Sequence, residues 1–182
     1  MNWNSNCAWC HMTDFKKNYD LRAGSYDSEW KIEGISCVQC HSGMEEHVAA
    51  ARAGNYEPSE NALNIELAMD NCASCHARRE ELTANGFKAG ENFDDHFRLV
   101  LPDLPNAYFV DGKANEENYV FGSLKMSRMG HKGVSCLDCH NAHSHETILP
   151  IEDNSLCMRC HATGLNEATI VDPVTHSNHP LG

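Results

Sequence analysis

The chain has 182 residues, enough for one ordinary domain, and its mean hydropathy of -0.51 implies a modest hydrophobic core. Its net charge of -12 comes from 26 acidic and 14 basic residues, which excludes the concentrated basic surface that nucleic-acid binding requires. No apolar run of about 18 residues occurs in the sequence, so a membrane-spanning helix is excluded as well.

Short helices separated by loops are the predicted secondary structure of the first half of the chain. Residues 43–53 are Ala-rich and are expected to form a helix that Gly54-Asn55 caps. A second helix is expected over about 60–70 and should run into a cysteine-containing segment. His76 to Leu82 is expected to continue as a short helix.

The second half contains one further predicted helix. Leu101-Pro-Asp-Leu-Pro105 must be extended or turned, and a helix follows over roughly 113–129, weakened by Gly122. No segment alternates convincingly between apolar and polar residues. The predicted fold class is therefore mainly α, with extensive irregular loops and little or no β structure.

All ten cysteines fall into five copies of one motif, in which two residues separate a pair of cysteines and a histidine follows directly. In chain order, the first to fifth motifs are Cys7-Ala-Trp-Cys10-His11, Cys37-Val-Gln-Cys40-His41, Cys72-Ala-Ser-Cys75-His76, Cys136-Leu-Asp-Cys139-His140 and Cys157-Met-Arg-Cys160-His161. The C-x-x-C-H pattern is the signature of covalent haem attachment.

The chemistry of attachment explains this spacing. Two cysteines three residues apart lie on one side of a helical turn, where both can form thioethers to the vinyl groups of one porphyrin. The next histidine then presents its imidazole to the iron. The sequence therefore predicts five haem c groups, with all ten cysteines binding the cofactor. The predicted proximal iron ligands are His11, His41, His76, His140 and His161.

Three other interpretations explain the motifs less well. A structural zinc site uses paired cysteines but does not require a histidine after every second one. A thioredoxin-like redox motif occurs singly, on a strand-to-helix unit. A disulfide framework would not impose the same spacing five times.

Haems also account for the stability of so polar a chain, because the porphyrins would supply much of the apolar core. We expect a multihaem cytochrome c wrapped around a haem chain, as a single domain over 1–182. Within it, residues 1–85 would hold the first three haems and residues 136–182 the last two. Residues 86–135 would form the segment that connects these two parts.

Seven further histidines could fill the sixth iron positions: His47, His96, His131, His143, His145, His176 and His179. Five irons need at most five of them, so methionine ligation is unnecessary, and the methionines are better explained by core packing. His143 lies three residues after His140, so it should serve a different haem. Low-spin, hexacoordinate haems of low potential follow from bis-histidine ligation.

Segments around the motifs resemble a known group of proteins. They include Asn2-Trp3-Asn4, Asn18-Tyr19-Asp20, Gly34-Ile-Ser-Cys37, Arg78-Arg79, Asp111-Gly112, Tyr119-Val-Phe-Gly-Ser123, Ser127-Arg-Met129, Gly133-Val-Ser-Cys136, Asp138-Cys-His-Asn-Ala-His-Ser144 and the stretch from Asn154 to His161. These resemble the multihaem cytochromes of the hydroxylamine-oxidoreductase and tetrahaem-cytochrome superfamily, and most closely the members that carry tetratricopeptide repeats. The likeness spans nearly the whole chain.

The resemblance implies which histidines are distal ligands. They are His47, His96, His143, His176 and His179, which leaves His131 and His145 as spares. Family members usually carry an upstream segment with at least one more haem, and no tetratricopeptide repeat follows in this sequence. A partner segment could supply or receive an axial ligand, so the pairing stays open.

Three functions fit five haems. The first is electron transfer, with redox proteins or extracellular acceptors as partners. The second is the same function in an extracellular filament, where the stretch from Thr175 to Pro180 either completes a haem of a neighbouring copy or covers one of its own. The third is an oxidoreductase with one open-site haem acting on a small nitrogen or sulfur oxyanion. No motif has its histidine replaced, which favours a carrier over an enzyme.

Localisation follows from the attachment chemistry. Haem is attached to such motifs outside the cytoplasm, so the protein is expected in the periplasm or outside the cell, at the cell surface if it forms filaments. Met1-Asn2-Trp3 has neither the basic nor the apolar region of a signal peptide. The chain is therefore expected to be a mature form or a segment of a longer exported precursor.

Overall fold

The computed structural model describes residues 2–56, 64–84, 86–116, 118–144 and 146–172. The chain divides into two compact units, an N-terminal unit (Met1–Gly133) and a C-terminal unit (Val134–Gly182). The first three motifs lie in the N-terminal unit and the last two in the C-terminal unit. The assignment of all 182 residues to a single domain stays a prediction.

Nine α-helices lie within the described residues, and most of them are only one turn long. They are α1 (Trp3–Asn6), α2 (Ala8–His11), α3 (Cys37–Cys40), α4 (Glu45–Arg52), α5 (Ile65–His76), α6 (Phe93–His96), α7 (Phe121–Met126), α8 (Arg128–His131) and α9 (Ser155–His161). Two 3₁₀ turns cover Cys136–Asp138 and Leu165–Glu167. In the described part of the chain, no helix has the length and apolar character needed to cross a membrane.

Eight short strands in the described residues form four antiparallel pairs, β1 with β4, β2 with β3, β5 with β6, and β7 with β8. They are β1 (Met12–Thr13), β2 (Tyr19–Asp20), β3 (Ser25–Tyr26), β4 (Ile32–Glu33), β5 (Arg79–Glu81), β6 (Phe97–Leu99), β7 (His140–Asn141) and β8 (Glu146–Thr147). Each strand has two or three residues, which is too short for an alternating pattern to appear in the sequence.

The helices predicted in the first half are largely present. The helix predicted over 43–53 is confirmed as α4, and Gly54 follows it at a φ of +89°, a conformation that glycine adopts without strain. The helix predicted over about 60–70 appears as α5, which starts at Ile65 after Asn64 accepts a hydrogen bond from the Leu67 N–H. Residues 57–63 lie outside the described part.

The predicted helix from His76 to Leu82 is wrong. Helix α5 ends at His76, Ala77 is extended, and the chain then enters β5. Arg79 pairs with Leu99 across the β5–β6 ladder, a contact between residues distant in sequence. This non-local pairing overrides the local helix propensity.

The helix predicted over roughly 113–129 is wrong for its first half, since no described residue before Phe121 in this range is helical, and the remainder forms two shorter helices, α7 and α8. The break falls at Ser127, which is extended and accepts a hydrogen bond from the Gly130 N–H through its hydroxyl. A serine that caps the next helix in this way competes with continuation of the previous one. Gly122, where weakening was expected, lies within α7.

The buried core of the N-terminal unit is aromatic and centred on Phe97, which is 2% exposed. Its ring lies 5.4 Å from the Trp9 ring, 5.9 Å from Phe87 and 5.2 Å from Phe93. Ala73 of α5 and Ala8 of α2 pack into the same cluster. The core therefore holds the helices that carry the first and third motifs.

The C-terminal unit has no comparable core. Among its described residues the only buried side chain is that of Ser135, and no apolar side chain is buried. Several large apolar residues there are instead exposed: Leu137, Ile148, Leu149, Ile151, Leu165 and Ile170. The described part of this unit therefore buries little apolar surface of its own.

Gly122 tests the packing of the N-terminal unit. A Cβ added there would overlap the Tyr108 hydroxyl and lie 3.1 Å from its Cζ. The Tyr108 hydroxyl donates to the Val100 carbonyl at 3.0 Å. Because the ring must shift and give up this bond, we expect Gly122→Ala to destabilise the haem-loaded protein by about 1–3 kcal/mol, measured by thermal unfolding.

Tyr108→Phe provides the matched background, because it removes the overlapping oxygen. Gly122→Ala should cost clearly less in that background than in the presence of the tyrosine hydroxyl. Equal costs in the two backgrounds would contradict this account of the packing.

Candidate haem-attachment sites

The first three motifs each lie on a helical turn. Cys7 joins α1 to α2, and the Cys10 N–H donates to the Cys7 carbonyl at 3.2 Å. The second motif forms α3, and the third occupies the last turn of α5. This is the local geometry expected for two thioethers to one porphyrin edge.

The last two motifs have the same form. The fourth lies on the 3₁₀ turn Cys136–Asp138, where the Cys139 N–H donates to the Cys136 carbonyl at 3.2 Å. The fifth is the C-terminal part of α9. All five motifs therefore present their cysteine pairs from a single turn.

A capping box holds the turn of the fourth motif. The backbone N–H and the hydroxyl of Ser135 both donate to the Asp138 carboxylate, each at 2.8 Å. These hydrogen bonds hold the pKa of Asp138 below its usual range. The residue between Cys136 and Cys139 thus fixes the turn that spaces them.

The ten cysteines all lie in the described part of the chain and form no disulfide. Each of these cysteines is half-buried or exposed. Among the described residues, no group of three or more histidine, cysteine or acidic side chains is arranged to hold a metal ion.

The first three motifs converge on α5. The Cys10 sulfur lies 3.8 Å from the Cys75 carbonyl oxygen, and the Asn71 amide donates to the Cys40 carbonyl at 3.4 Å. Burial raises the pKa of Cys40, and the neighbouring sulfurs of Cys72 and Cys75 raise it further. The cysteine pairs of three motifs are thus neighbours within the N-terminal unit.

The side chains of Cys10 and Cys75 lie close together, because the Cys10 sulfur contacts the Cys75 carbonyl oxygen. Their side-chain hydrogen bond lowers the pKa of Cys75 to about 6. The same bond raises the pKa of Cys10, and burial adds to that rise. The first and third motifs are therefore neighbours within the N-terminal unit.

The two motifs of the C-terminal unit are also neighbours. Burial raises the pKa of Cys139, and nearby negative charge at Asp138, Cys157 and Cys160 raises it further. The Arg159 guanidinium donates to the Asp138 carbonyl at 3.3 Å, which links the fifth motif to the fourth.

Two predicted proximal histidines have their Nδ1 atoms next to backbone carbonyls. The Nδ1 atom of His76 lies 3.1 Å from the Asn118 carbonyl oxygen, and that of His161 lies 2.7 Å from the Thr169 carbonyl oxygen. An Nδ1–H that donates to a carbonyl leaves the Nε2 lone pair available for iron and fixes the ring. Asn118 and Thr169 act through their backbone, so side-chain patterns in the sequence could not identify them.

The other three predicted proximal histidines, His11, His41 and His140, are exposed. The ring of His11 lies 6.2 Å from that of Trp3. His41 caps the end of α3, and His140 opens β7. Each directly follows its cysteine pair, so its backbone is held beside the attachment turn.

The predicted distal histidines differ in how the structure places them. His96 has both ring nitrogens engaged, Nδ1 with the Thr83 hydroxyl at 2.9 Å and Nε2 with Glu91 at 3.1 Å. Ligation by His96 would therefore require one of these contacts to break. His47 lies half-buried on α4, and His143 is exposed.

The remaining histidines add little to the ligand set. The predicted distal ligands His176 and His179 lie outside the described residues, as does the spare His145. The other spare, His131, is exposed at the end of α8. The distal assignments therefore stay predictions.

The motif surroundings fit a bound haem. Among the described residues, four buried side-chain polar atoms have no hydrogen-bond partner: Trp9 Nε1, Ser36 Oγ, Asn71 Oδ1 and Arg78 Nε. Trp9 lies inside the first motif, Ser36 and Asn71 directly precede the second and third, and Arg78 follows the third by two residues. These unpaired polar atoms lie at the motif turns, and the residues there would fit a bound haem, which has polar and apolar edges. A bound haem would supply an iron that gains or loses one electron.

Comparison with known proteins also indicates haem binding for the start of the chain. Residues 1–42 match the family model of cytochrome c554 and c-prime, a stretch that contains the first two motifs. No curated protein and no solved structure matches the chain significantly. The family match supports a multihaem c-type cytochrome with iron-containing haem c and a role in electron transfer.

The capping box of the fourth motif can be tested directly. Ser135→Ala removes a buried hydroxyl that bonds to Asp138, and we expect it to lower the stability of the haem-loaded protein by about 1 kcal/mol. Ser135→Thr keeps the hydroxyl and is the matched control. Thermal unfolding should rank Ser135→Ala clearly below Ser135→Thr, and equal losses for the two variants would rule out the capping role.

Proposed function

We propose that the chain is an electron carrier with five covalently bound haem c groups, one at each motif. The observation that carries the proposal is that all five cysteine pairs lie on single turns. The family match over 1–42 supports haem-based electron transfer in general. In this function the chain binds, orients and insulates the haems and binds no substrate.

Proximity of the motifs within each unit supports conduction between haems. The contact of the Cys10 sulfur with the Cys75 carbonyl oxygen brings the first and third motifs together, and α5 also lies against the second motif through Asn71. In the C-terminal unit, Cys139 lies near the sulfurs of the fifth motif. Close spacing of cofactors is what electron transfer without a mobile carrier requires.

The proposed fold is a chain wrapped around its haems, mainly α and irregular apart from the short strand pairs. The C-terminal unit supports this, because none of its described apolar side chains is buried. The proposed distal ligands are His47, His96, His143, His176 and His179. The relationship to the hydroxylamine-oxidoreductase and tetrahaem superfamily, and to its tetratricopeptide-fused members, belongs to the same proposal.

Location and partners follow from the chemistry of the cofactor. Covalent haem attachment to these motifs takes place outside the cytoplasm, so we place the protein in the periplasm or outside the cell. A net charge of -12, to which haem propionates would add, favours basic redox proteins as partners over nucleic acid. Extracellular acceptors are the other class of partner.

Two further functions stay predictions from the sequence. Filament formation was expected to involve the stretch from Thr175 to Pro180, which lies outside the described residues. An oxidoreductase with one open-site haem acting on a small nitrogen or sulfur oxyanion would need an iron without a sixth protein ligand.

Binding of carbon monoxide distinguishes an electron carrier from an enzyme with an open-site haem, because carbon monoxide binds reduced haem only where the sixth iron position is open. We expect the spectrum of the reduced protein to be nearly unchanged by carbon monoxide. A large change corresponding to one haem in five would favour the enzyme and contradict the carrier.

His143→Ala extends this test to a named ligand. Removing a distal histidine should open one iron, so that one haem in five becomes able to bind carbon monoxide. His131→Ala is the matched control, since His131 is an exposed histidine that is not expected to ligate iron. If the two variants respond alike, the distal role of His143 is wrong.

A further inference from the structure

Arg79 is a cation held in an unusually enclosed position between two aromatic rings. Its guanidinium carbon lies 3.8 Å from the centre of the Phe97 ring and 5.0 Å from that of Trp9. Both rings are almost fully buried, at 2% and 8% exposed. Its Nε donates to the Ser74 carbonyl at 2.6 Å. Stacking and the hydrogen bond together hold the guanidinium in one orientation.

The residues that hold Arg79 belong to two attachment motifs. Trp9 lies between the cysteines of the first motif, and Ser74 lies between those of the third. The sulfurs of Cys10 and Cys75 are both near enough to attract the guanidinium. The positive charge is therefore fixed where the first and third attachment edges meet.

In the part of the chain that the structure describes, no carboxylate neutralises the charge of Arg79 directly. Among the described residues, none lies within ion-pair distance of Arg79, and its acidic neighbour Glu81 is already paired with Lys17. Arg98, across the same β5–β6 ladder, is instead exposed and pairs with Glu80 at 2.6 Å. The ladder thus carries one enclosed, unpaired arginine and one exposed, paired arginine.

An enclosed cation affects an adjacent redox centre in a defined direction. Reduction of a haem adds one negative charge, which a nearby fixed positive charge stabilises. Conversion of Cys10 and Cys75 to thioethers makes both sulfurs neutral, so Arg79 would keep its full effect on the haems. Arginine also stays protonated at any pH at which the protein is folded.

We propose that Arg79 sets the reduction potentials of the haems attached at the first and third motifs, raising them above the values that their ligands alone would give. This inference rests on the proposed function, since it requires haem at both motifs. Arg79 contacts the motifs from within the protein, so it acts on the cofactors without serving as a ligand.

The test is a spectroelectrochemical titration of the haem-loaded protein and three variants. Arg79→Gln should shift one or two of the five midpoint potentials downward. At a fixed solution potential near those midpoints, the ratio of reduced to oxidised haem should fall by roughly tenfold at the affected haems. This is the size of effect expected from removal of one charge at an intermediate dielectric constant. Arg79→Lys keeps the charge and should shift the potentials much less. Arg98→Gln is the matched control and should leave all five unchanged.

A fourth variant keeps the test decisive if Arg79→Gln fails to retain its haems. Glu81→Gln removes a negative charge near Arg79, so it should shift the same potentials upward. Titration curves of Arg79→Gln that superimpose on the parent, with haem content intact, would overturn the proposal. So would equal shifts in Arg79→Gln and Arg79→Lys, or no upward shift in Glu81→Gln.

Haem content of the parent protein, measured by the pyridine haemochrome assay, separates this proposal from the proposed function. A parent without covalent haem refutes the function itself. If the parent holds five haems and their potentials do not change when Arg79 is replaced, only the role of Arg79 is refuted.

Discussion

The constraint on which the proposed five-haem carrier depends is the pair of thioethers that each motif would form. Two sulfurs must face one porphyrin edge, so the chain must make a tight turn at every motif. Local hydrogen bonds supply these turns, from the Cys10 N–H to the Cys7 carbonyl at one end of the chain to the Ser135–Asp138 capping box near the other. Five such turns leave little of the chain for long helices or sheets.

This constraint also explains how the apolar side chains are distributed. The N-terminal unit has a small aromatic core around Phe97, which ties the first and third motifs to α5. The described part of the C-terminal unit buries no apolar side chain, although it carries two motifs. A covalently bound porphyrin brings a large apolar surface, which would complete both units and cover apolar residues such as Leu137 and Ile148.

Features set by neighbouring residues could be predicted from the sequence, and features set by distant contacts could not. The motif turns and helix α4 depend on local spacing and propensity, and both are present. Strand β5 depends on pairing with residues 97–99, which local propensity does not encode. The carbonyls of Asn118 and Thr169 orient His76 and His161 through the backbone, which leaves no residue pattern to find. Distal ligation depends on non-local contacts as well, and the bonds of His96 to Thr83 and Glu91 could not be foreseen.

The central claim is that each cysteine pair holds one haem covalently. Intact-protein mass spectrometry under denaturing conditions tests it most directly, because thioether-bound haem stays attached when the protein unfolds. The account predicts a single species heavier than the 20.3 kDa polypeptide by five haem groups. A species at the mass of the bare polypeptide, with its ten thiols open to alkylation, would contradict it.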